Sequence, residues 1–551
     1  MVAQPETLPV PDDFSFQWDS PEEATEFWSL DLMHWPNGLS PLSATMDMPA
    51  FMRGFTTAAR ELYMPFTEMK AKVVHGYGYM SITPYSTDPA QMEKRMVDMQ
   101  AQMGKHVPGL LERWQTVYEP EVRSINDETL YGDYSKLGDQ DLSDLLEQIL
   151  RKRERSGELH MLAVFPAMGA VMFYEQVYSQ LFGEPRASEH LQLLQGFPNK
   201  SVEVGDALWR LAKEARQRPK VLDILRRVAP AEADAALLES EEGRSFHGAV
   251  REFLDRYGWR ASELDIAEPT WYERPAPVYN LIREYAARDD YDPEDEFKSL
   301  IAAREAREEV LFKQLSGGPI DMFRQVLAGA QQYLPIQEDH NFWIDQQGLS
   351  VERVPALEAG RRLAASGRLA HTNDVFWLEY AQLQDALRDG KADLDDLVAA
   401  RKRERERERK LTPPPALGTP PPPEMGEDPM LGKFFGGLPP ESADPRIING
   451  NAASAGKVTG TARVVMSLDD AERLGQGEIL VCPSTMPPWT PLFALASGVV
   501  TDHGGILSHT AIVAREYRIP AVIGTKVATS LIRDGQTITV DGIAGTVKME
   551  N

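Results

Sequence analysis

The sequence predicts an α + α/β chain: a large, mainly helical domain over residues 1–410, a proline-rich linker over 411–442 and a small β/α/β domain over 443–551. Three observations point to this. Upstream, apolar residues recur at three- and four-residue spacing; downstream, short β-rich runs are punctuated by glycine and aspartate; between them stands "AARKRERERERKLTPPPALGTPPPPEMGEDPM". A length of 551 residues fits more than one domain, roughly two to four at about 150 residues each.

The helical region is clearest in "DLSDLLEQILRKRERS", "VEVGDALWRLAKEARQ", "LDILRRVAPAEADAALLESEEG" and "VERVPALEAGRRLAASG". The oiliest stretch, Met161 to Tyr174, contains Pro166 and falls short of the ~18 residues that span a bilayer, so a buried helix is expected. "MVAQPETLPVPDDFSF" has no basic segment followed by an apolar core, which predicts no secretory leader and a cytoplasmic protein. A net charge of −26 disfavours general affinity for nucleic acid or anionic membranes.

In the linker, the alternating charges of Arg401 to Lys410 predict an exposed helix end, and the prolines after it an extended, semi-rigid segment. Beyond it, "GKVTGTARVV", "GEILVCPS", "SGVVTD", "IPAVIG", "QTITVDG" and "GTVKME" read as strands, with helices at "PPWTPLFALA" and "SHTAIVAREY". The single cysteine, Cys482, excludes internal disulfides and multi-cysteine metal sites and is expected in a buried strand.

Chemistry concentrates in "TDHGGILSHTAIVAREYRIPAVIG". Gly504 and Gly505 permit positive φ and close approach of a bulky ligand. Ser508 stands where a helix N-cap belongs, which puts His509 in the first turn. Unpaired N–H groups and the helix dipole there attract an anion and disfavour imidazolium, leaving a neutral ring nitrogen able to attack phosphorus. These residues alone fit either a capped helix with a partly exposed histidine or a nucleophile.

"GGILSHTAIVAREYRIPAVIGT" resembles the phosphohistidine motif of the swivelling domain in phosphoenolpyruvate-utilising enzymes, and the likeness extends through "GEILVCPSTMPPWTPLFALASGVVTD" and "DGQTITVDGIAGTV". The resemblance implies that His509 carries a phosphoryl group, with Ser508 and Thr510 as donors to its oxygens. Arg515 is a candidate charge clamp, but six positions along a helix place it about 240° from His509. A structural pairing with a carboxylate is therefore expected. His503 is expected to support the motif.

A carrier needs a donor and an acceptor. The sequence has no Gly-x-x-x-x-Gly-Lys-Ser/Thr string, and Gly76-Tyr77-Gly78 lacks the third glycine of a dinucleotide fingerprint. The upstream region resembles the substrate-binding domain of rifampin phosphotransferases and phenylphosphate synthase subunits through "FWSLDLMHWPNGLSPLSATM", "LDRYGWRASELDIAEPTWYERP", "QEDHNFWIDQQGLSVERV" and "NDVFWLEYAQL". That likeness implies ATP and Mg2+ held by an ATP-grasp partner subunit and a small aromatic hydroxyl compound as acceptor. Twelve of the 21 methionines lie in the first 103 residues, with Trp18, Trp28, Trp35, Phe51, Phe55 and Phe66, a composition suited to a planar ligand or to an ordinary core.

Transfer to a hydroxyl calls for a general base. His34 and His340 stand among aromatics and beside acidic residues; each is a candidate base or a satisfied buried histidine. Asp31, Trp35, Arg260, Asp265, Glu338 and Asp339 are candidates for acceptor binding, phosphate binding or histidine orientation. The leading expectation is an ATP-dependent phosphotransferase subunit acting on a phenol or 4-alkylphenol. Antibiotic phosphorylation and a non-enzymatic phosphorelay are the alternatives.

Overall fold

The computed structural model describes residues 7–185, 189–288, 292–389, 394–420, 432–433, 436–437, 439–440 and 442–550. The chain forms two compact units, one of Met1–Pro166, Glu263–Glu268 and Trp343–Gly426, the other of Ala167–Ser262, Pro269–Phe342 and Glu427–Asn551. Much of the expected linker, 421–431 with 434, 435, 438 and 441, lies outside the described residues. The expected border at 442/443 parts the β/α/β region from the helices, whereas residues 167–262 and 269–342 pack with that region in one unit.

The first unit contains a sheet that the helical reading did not anticipate. Strands β1 (Phe27–Leu30), β2 (Phe66–Val74), β3 (Tyr77–Pro84) and β4 (Ala416–Gly418) are ordered β2-β3-β1-β4, and all three pairings are antiparallel. His75 and Gly76, at φ 49° and 74°, turn β2 into β3, the left-handed pair that a two-residue hairpin needs. Gly76 thus belongs to a turn and not to a nucleotide loop. Phe14, Trp28, Tyr79 and Leu417 pack into one core there. The residues after the first prolines form an edge strand, with Trp28 opposite Leu417.

The charged helix Asp395–Glu408 is less exposed than expected at one position. Arg405 is buried and donates to the carbonyls of His75, at 3.0 Å, and Asn37. Helix Asp47–Glu61 and β2 border a cleft of about 850 Å³ whose lining includes the buried Met48, Met52 and Met69 and the charged Lys70 and Arg401.

Helix Asp139–Phe182 runs 44 residues through Pro166, longer than the Met161 to Tyr174 stretch suggested. By length and composition it is long and apolar enough to cross a membrane, yet 72% of its apolar window is buried in the protein, as in a core helix.

The second unit holds an eight-stranded sheet, ordered β5-β12-β11-β7-β8-β9-β10-β6. Its strands are β5 (Ile447–Asn449), β6 (Asn451–Ser454), β7 (Lys457–Val464), β8 (Ile479–Cys482), β9 (Gly498–Thr501), β10 (Ala521–Ile523), β11 (Thr537–Asp541) and β12 (Thr546–Met549). β7 to β10 are mutually parallel and the flanking pairs antiparallel. Every residue of β8, β9 and β10 is buried, which explains their unbroken apolar runs and the position of Cys482. Helix His509–Glu516 lies in the crossover from β9 to β10 and starts beyond the carboxyl end of β9, where parallel sheets place ligands.

Candidate functional site

His509 opens its helix and is 8% exposed. Its Nδ1 lies 3.1 Å from Glu338 Oε1 and its Nε2 3.2 Å from Thr490 Oγ1. A carboxylate only accepts, so the ring proton sits on Nδ1 and the Thr490 hydroxyl donates to Nε2. Glu338 comes from the end of helix Tyr333–His340 and is itself buried; its Oε2 accepts from Ser201 Oγ at 2.5 Å. Burial alone would raise the Glu338 pKa, but the charge and hydrogen bond of His509, with help from Ser201 and His340, hold it below the usual value. The result is a histidine with its proton fixed on one side and a lone pair on the other.

The surroundings of His509 match the sequence reading in part. Ser508 occupies the N-cap position with extended backbone, but its side chain makes no capping bond. Its Oγ is buried without a partner, 2.9 Å from where a Cβ on Gly504 would stand, and Gly504 has φ +109°. A buried hydroxyl with no partner, beside the three N–H groups of His509, Thr510 and Ala511 that have no acceptor among the described residues, is the feature here that calls for an anion's oxygen.

Several expected roles are corrected. A Cβ on Gly505 would meet the Lys433 carbonyl at 2.1 Å, so this glycine admits the chain's own backbone and not a ligand; Leu507 N–H donates to the same carbonyl at 3.1 Å. Thr510 Oγ1 lies 2.8 Å from Thr485 Oγ1, so its hydroxyl already has a partner within the protein. Arg515 donates to the carbonyls of Ala453 and Ile506, at 3.0 and 2.9 Å. It staples its helix to β6 and to the loop before His509, a structural role as expected, though its partners are carbonyls and not a carboxylate. Burial lowers its pKa to about 10.

His340 is buried and its Nδ1–H donates to the Ile336 carbonyl at 2.8 Å, one helical turn back. Asp339 Oδ1 accepts from Lys200 N–H at 2.8 Å and so caps helix Lys200–Arg216. These bonds tie one ring nitrogen of His340 and one carboxylate oxygen of Asp339 to the backbone. Arg260 is buried in the same unit, with its guanidinium 4.9 Å from the Trp271 ring and 5.7 Å from that of Phe342.

The remaining candidates belong to the other unit. His34 Nδ1 lies 2.6 Å from Asp31 Oδ2, and Asp31 also accepts from the N–H groups of Met33 and His34. Burial would lower the His34 pKa, but the Asp31 charge raises it, the orientation expected of this pair. Trp35 packs with Leu39 and Met48 and overlies Gly78, so it is a core side chain there. Asp265 accepts from Ser40 N–H and Oγ, Ser43 Oγ and Ala267 N–H, which fills its lone pairs with structural bonds. The sequence reading missed Thr490 as a partner of His509 and Ser201 as a partner of Glu338. No spacing rule links Thr490 to a residue 19 positions later, or Ser201 to one 137 positions later.

At the other end of the His509 helix, Glu516 accepts from Gly196 N–H at 3.2 Å through Oε1, while Oε2 is enclosed without a partner. Burial pushes its pKa up to about 8, opposed by the Gly196 bond and the Arg515 and Arg304 charges and assisted by Glu338. The folded protein therefore keeps a proton that the unfolded chain loses near 4.5, so stability is fullest below that pH and declines as pH rises toward 8. Glu516→Gln is expected to flatten this decline, read as a smaller difference in melting temperature between pH 5 and pH 9.

Comparison with known proteins agrees with this geometry. Residues 474–545 match the family described as PEP-utilising enzyme, mobile domain, and residues 159–338 match the rifampicin phosphotransferase fourth domain. The chain is 33% identical to chondramide synthase cmdD of Chondromyces crocatus over 98% of its own length and 14% of that protein. It is 32% identical to the uncharacterized phosphotransferase YvkC of Bacillus subtilis over 71% of its length and 47% of the relative's. It is 30% identical to the rifampicin phosphotransferase of Streptomyces sviceus over 85% of its length and 50% of the relative's. The chain thus spans half or less of these curated relatives. The likeness to PEP-utilising enzymes and rifampicin phosphotransferases read from the sequence is borne out.

Proposed function

From a mobile domain of the PEP-utilising type at residues 474–545 and a rifampicin phosphotransferase fourth domain at 159–338, we propose that this chain is the carrier and acceptor part of an ATP-dependent phosphotransferase. His509 receives a phosphoryl group from ATP and passes it to an organic hydroxyl. The observation that carries this reading is the His509 ring, with Nδ1–H on Glu338 and the Nε2 lone pair toward Thr490, beside the unpartnered Ser508 hydroxyl at a helix N-terminus.

Nε2 is the attacking atom. In discharge, the N–P bond breaks with its electron pair returning to Nε2, the acceptor oxygen forms the new O–P bond, and the hydroxyl proton passes to Nε2. The imidazolium formed is stabilised by the Glu338 carboxylate at Nδ1, and its Nε2 proton is lost to solvent before the next charging. The donor ATP and its Mg2+ are assigned to an ATP-grasp part outside these residues, and the reaction to the type that yields AMP and inorganic phosphate. Glu338, the carboxylate on the His509 ring, has its two oxygens taken by His509 and Ser201, so these residues do not fit a resident Mg2+. A cytoplasmic location goes with ATP as donor.

The acceptor is an aromatic hydroxyl compound. A phenol or 4-alkylphenol is one reading. A large hydroxylated natural product of the rifampicin type is the second, favoured by the likeness to rifampicin phosphotransferases. Incubation with β-labelled ATP and a nucleotide-binding partner is expected to place acid-labile, base-stable label on His509 and then on the acceptor. Label that reaches neither histidine nor acceptor refutes the proposal, and parallel reactions with phenol and rifampicin separate the two acceptors. Thr490→Val keeps the side-chain shape and removes the donor to Nε2; charging of His509 is expected to change by about tenfold or less, the worth of one neutral hydrogen bond.

A further inference from the structure

Arg260 is 2% exposed, and among the described residues its side chain has no hydrogen-bond partner; its Nε is enclosed and unsatisfied. A buried guanidinium offers five donors in a fixed fork and is costly to keep unpaired. Its neighbours do not meet that need. Trp271 and Phe342 give it aromatic faces, which hold the plane without accepting its hydrogens. Glu338 is near enough for its charge to act on Arg260, but its oxygens are held by His509 and Ser201.

The backbone fixes this arrangement. Arg260 O accepts from Trp271 N–H at 2.9 Å, Gly258 O from Tyr272 N–H at 2.8 Å, and Ala261 bridges to Thr270. An unpaired cation is thus held rigidly, with one charged neighbour, and that neighbour is the carboxylate on the carrier histidine. Burial lowers its pKa to about 9, with Glu338 opposing, which leaves it charged at neutral pH.

We propose that Arg260 is the phosphoryl-binding residue of the His509 site: its forked donors meet two oxygens of the group in transit, and of the phosphate monoester formed. The proposal deepens the phosphotransferase reading and rests on it. A phosphoryl group is the anion whose paired oxygens fit a guanidinium fork, and its arrival supplies the missing partner.

The test uses the full chain charged at His509 with phosphoramidate, a small phosphoryl donor that makes ATP and any partner unnecessary. Discharge into phenol or rifampicin is followed in a single turnover by 31P NMR, and affinity for inorganic phosphate and phenyl phosphate is measured by titration calorimetry. Arg260→Gln is expected to slow discharge and weaken phosphate binding by about 100-fold each, with Arg260→Lys recovering part of both. Wild-type rate and affinity in Arg260→Gln overturn the proposal. Should both variants fail to fold, 15N NMR of the wild-type arginine side chains decides: the Arg260 Nε–H signal is expected to shift as inorganic phosphate is added, and a signal unmoved at saturation overturns it. A wild-type chain that takes no phosphoryl group on His509, while phosphate still titrates Arg260, instead defeats the phosphotransferase reading and leaves the anion site standing.

Discussion

His509→Ala is expected to abolish phosphoryl transfer, with a fall of about 10⁴-fold or more, because the variant lacks the atom that forms the covalent intermediate. The substitution leaves the backbone content with its helix, since alanine is the best helix former. It does strand Glu338, a buried carboxylate whose depressed pKa depends first among its neighbours on the His509 charge. A small loss of thermal stability should therefore accompany the loss of activity. His509→Gln, which can still donate to Glu338, should keep more of the stability and none of the transfer. The check is acid-labile label on the protein and product in solution; transfer at more than a few per cent of wild type in either variant would place the carrier elsewhere.

Glu338→Gln is expected to slow the discharge of phospho-His509 by about 10²- to 10³-fold, the usual cost of removing a preorganised charge partner. An amide oxygen still accepts from Nδ1–H and an amide can still meet Ser201, so geometry is kept and the charge is lost. The effect should fall on discharge, in which imidazolium forms, more than on binding of the acceptor. In the wild type the Glu338 pKa lies below its usual value near 4.5, so the stability it contributes is fully present above that pH and is lost as pH falls through its lower folded value. Melting curves of Glu338→Gln between pH 3 and 6 should accordingly show a shallower acid slope than wild type. An unchanged rate of discharge, with the slope altered, would reduce Glu338 to a structural partner.

The β/α/β region was legible because its parallel strands are buried on both faces, so β8, β9 and β10 read as plain apolar runs between turn residues. The N-terminal sheet was not. "FTEMKAKVV" does alternate Glu68, Lys70 and Lys72 with Met69, Ala71 and Val73, a strand period that the helical reading passed over, whereas β1 is completed by the three-residue β4 from the far side of the helical region. Pairings of that separation leave no local period to read. At the site, His509 was visible in the residues around it, and Glu338 was named as a binding candidate, but their contact spans 171 positions. Thr510, Trp35 and Asp265 were over-read for a complementary reason. Standing beside a motif does not decide where a side chain points, and theirs are engaged by Thr485, by Gly78 and Met48, and by Ser40 and Ser43.

The near-complete enclosure of His509, at 8% exposure, bears on what the carrier does when no acceptor is present. Phosphorus on an imidazole nitrogen is open to attack by any hydroxyl, and water is the most abundant one. A ring walled in by Glu338 and Thr490 offers solvent little room for an in-line approach. On the proposed carrier role, Thr490 yields its place at Nε2 to the phosphoryl group, and the enclosure that remains is expected to slow hydrolysis of the loaded protein in the absence of acceptor.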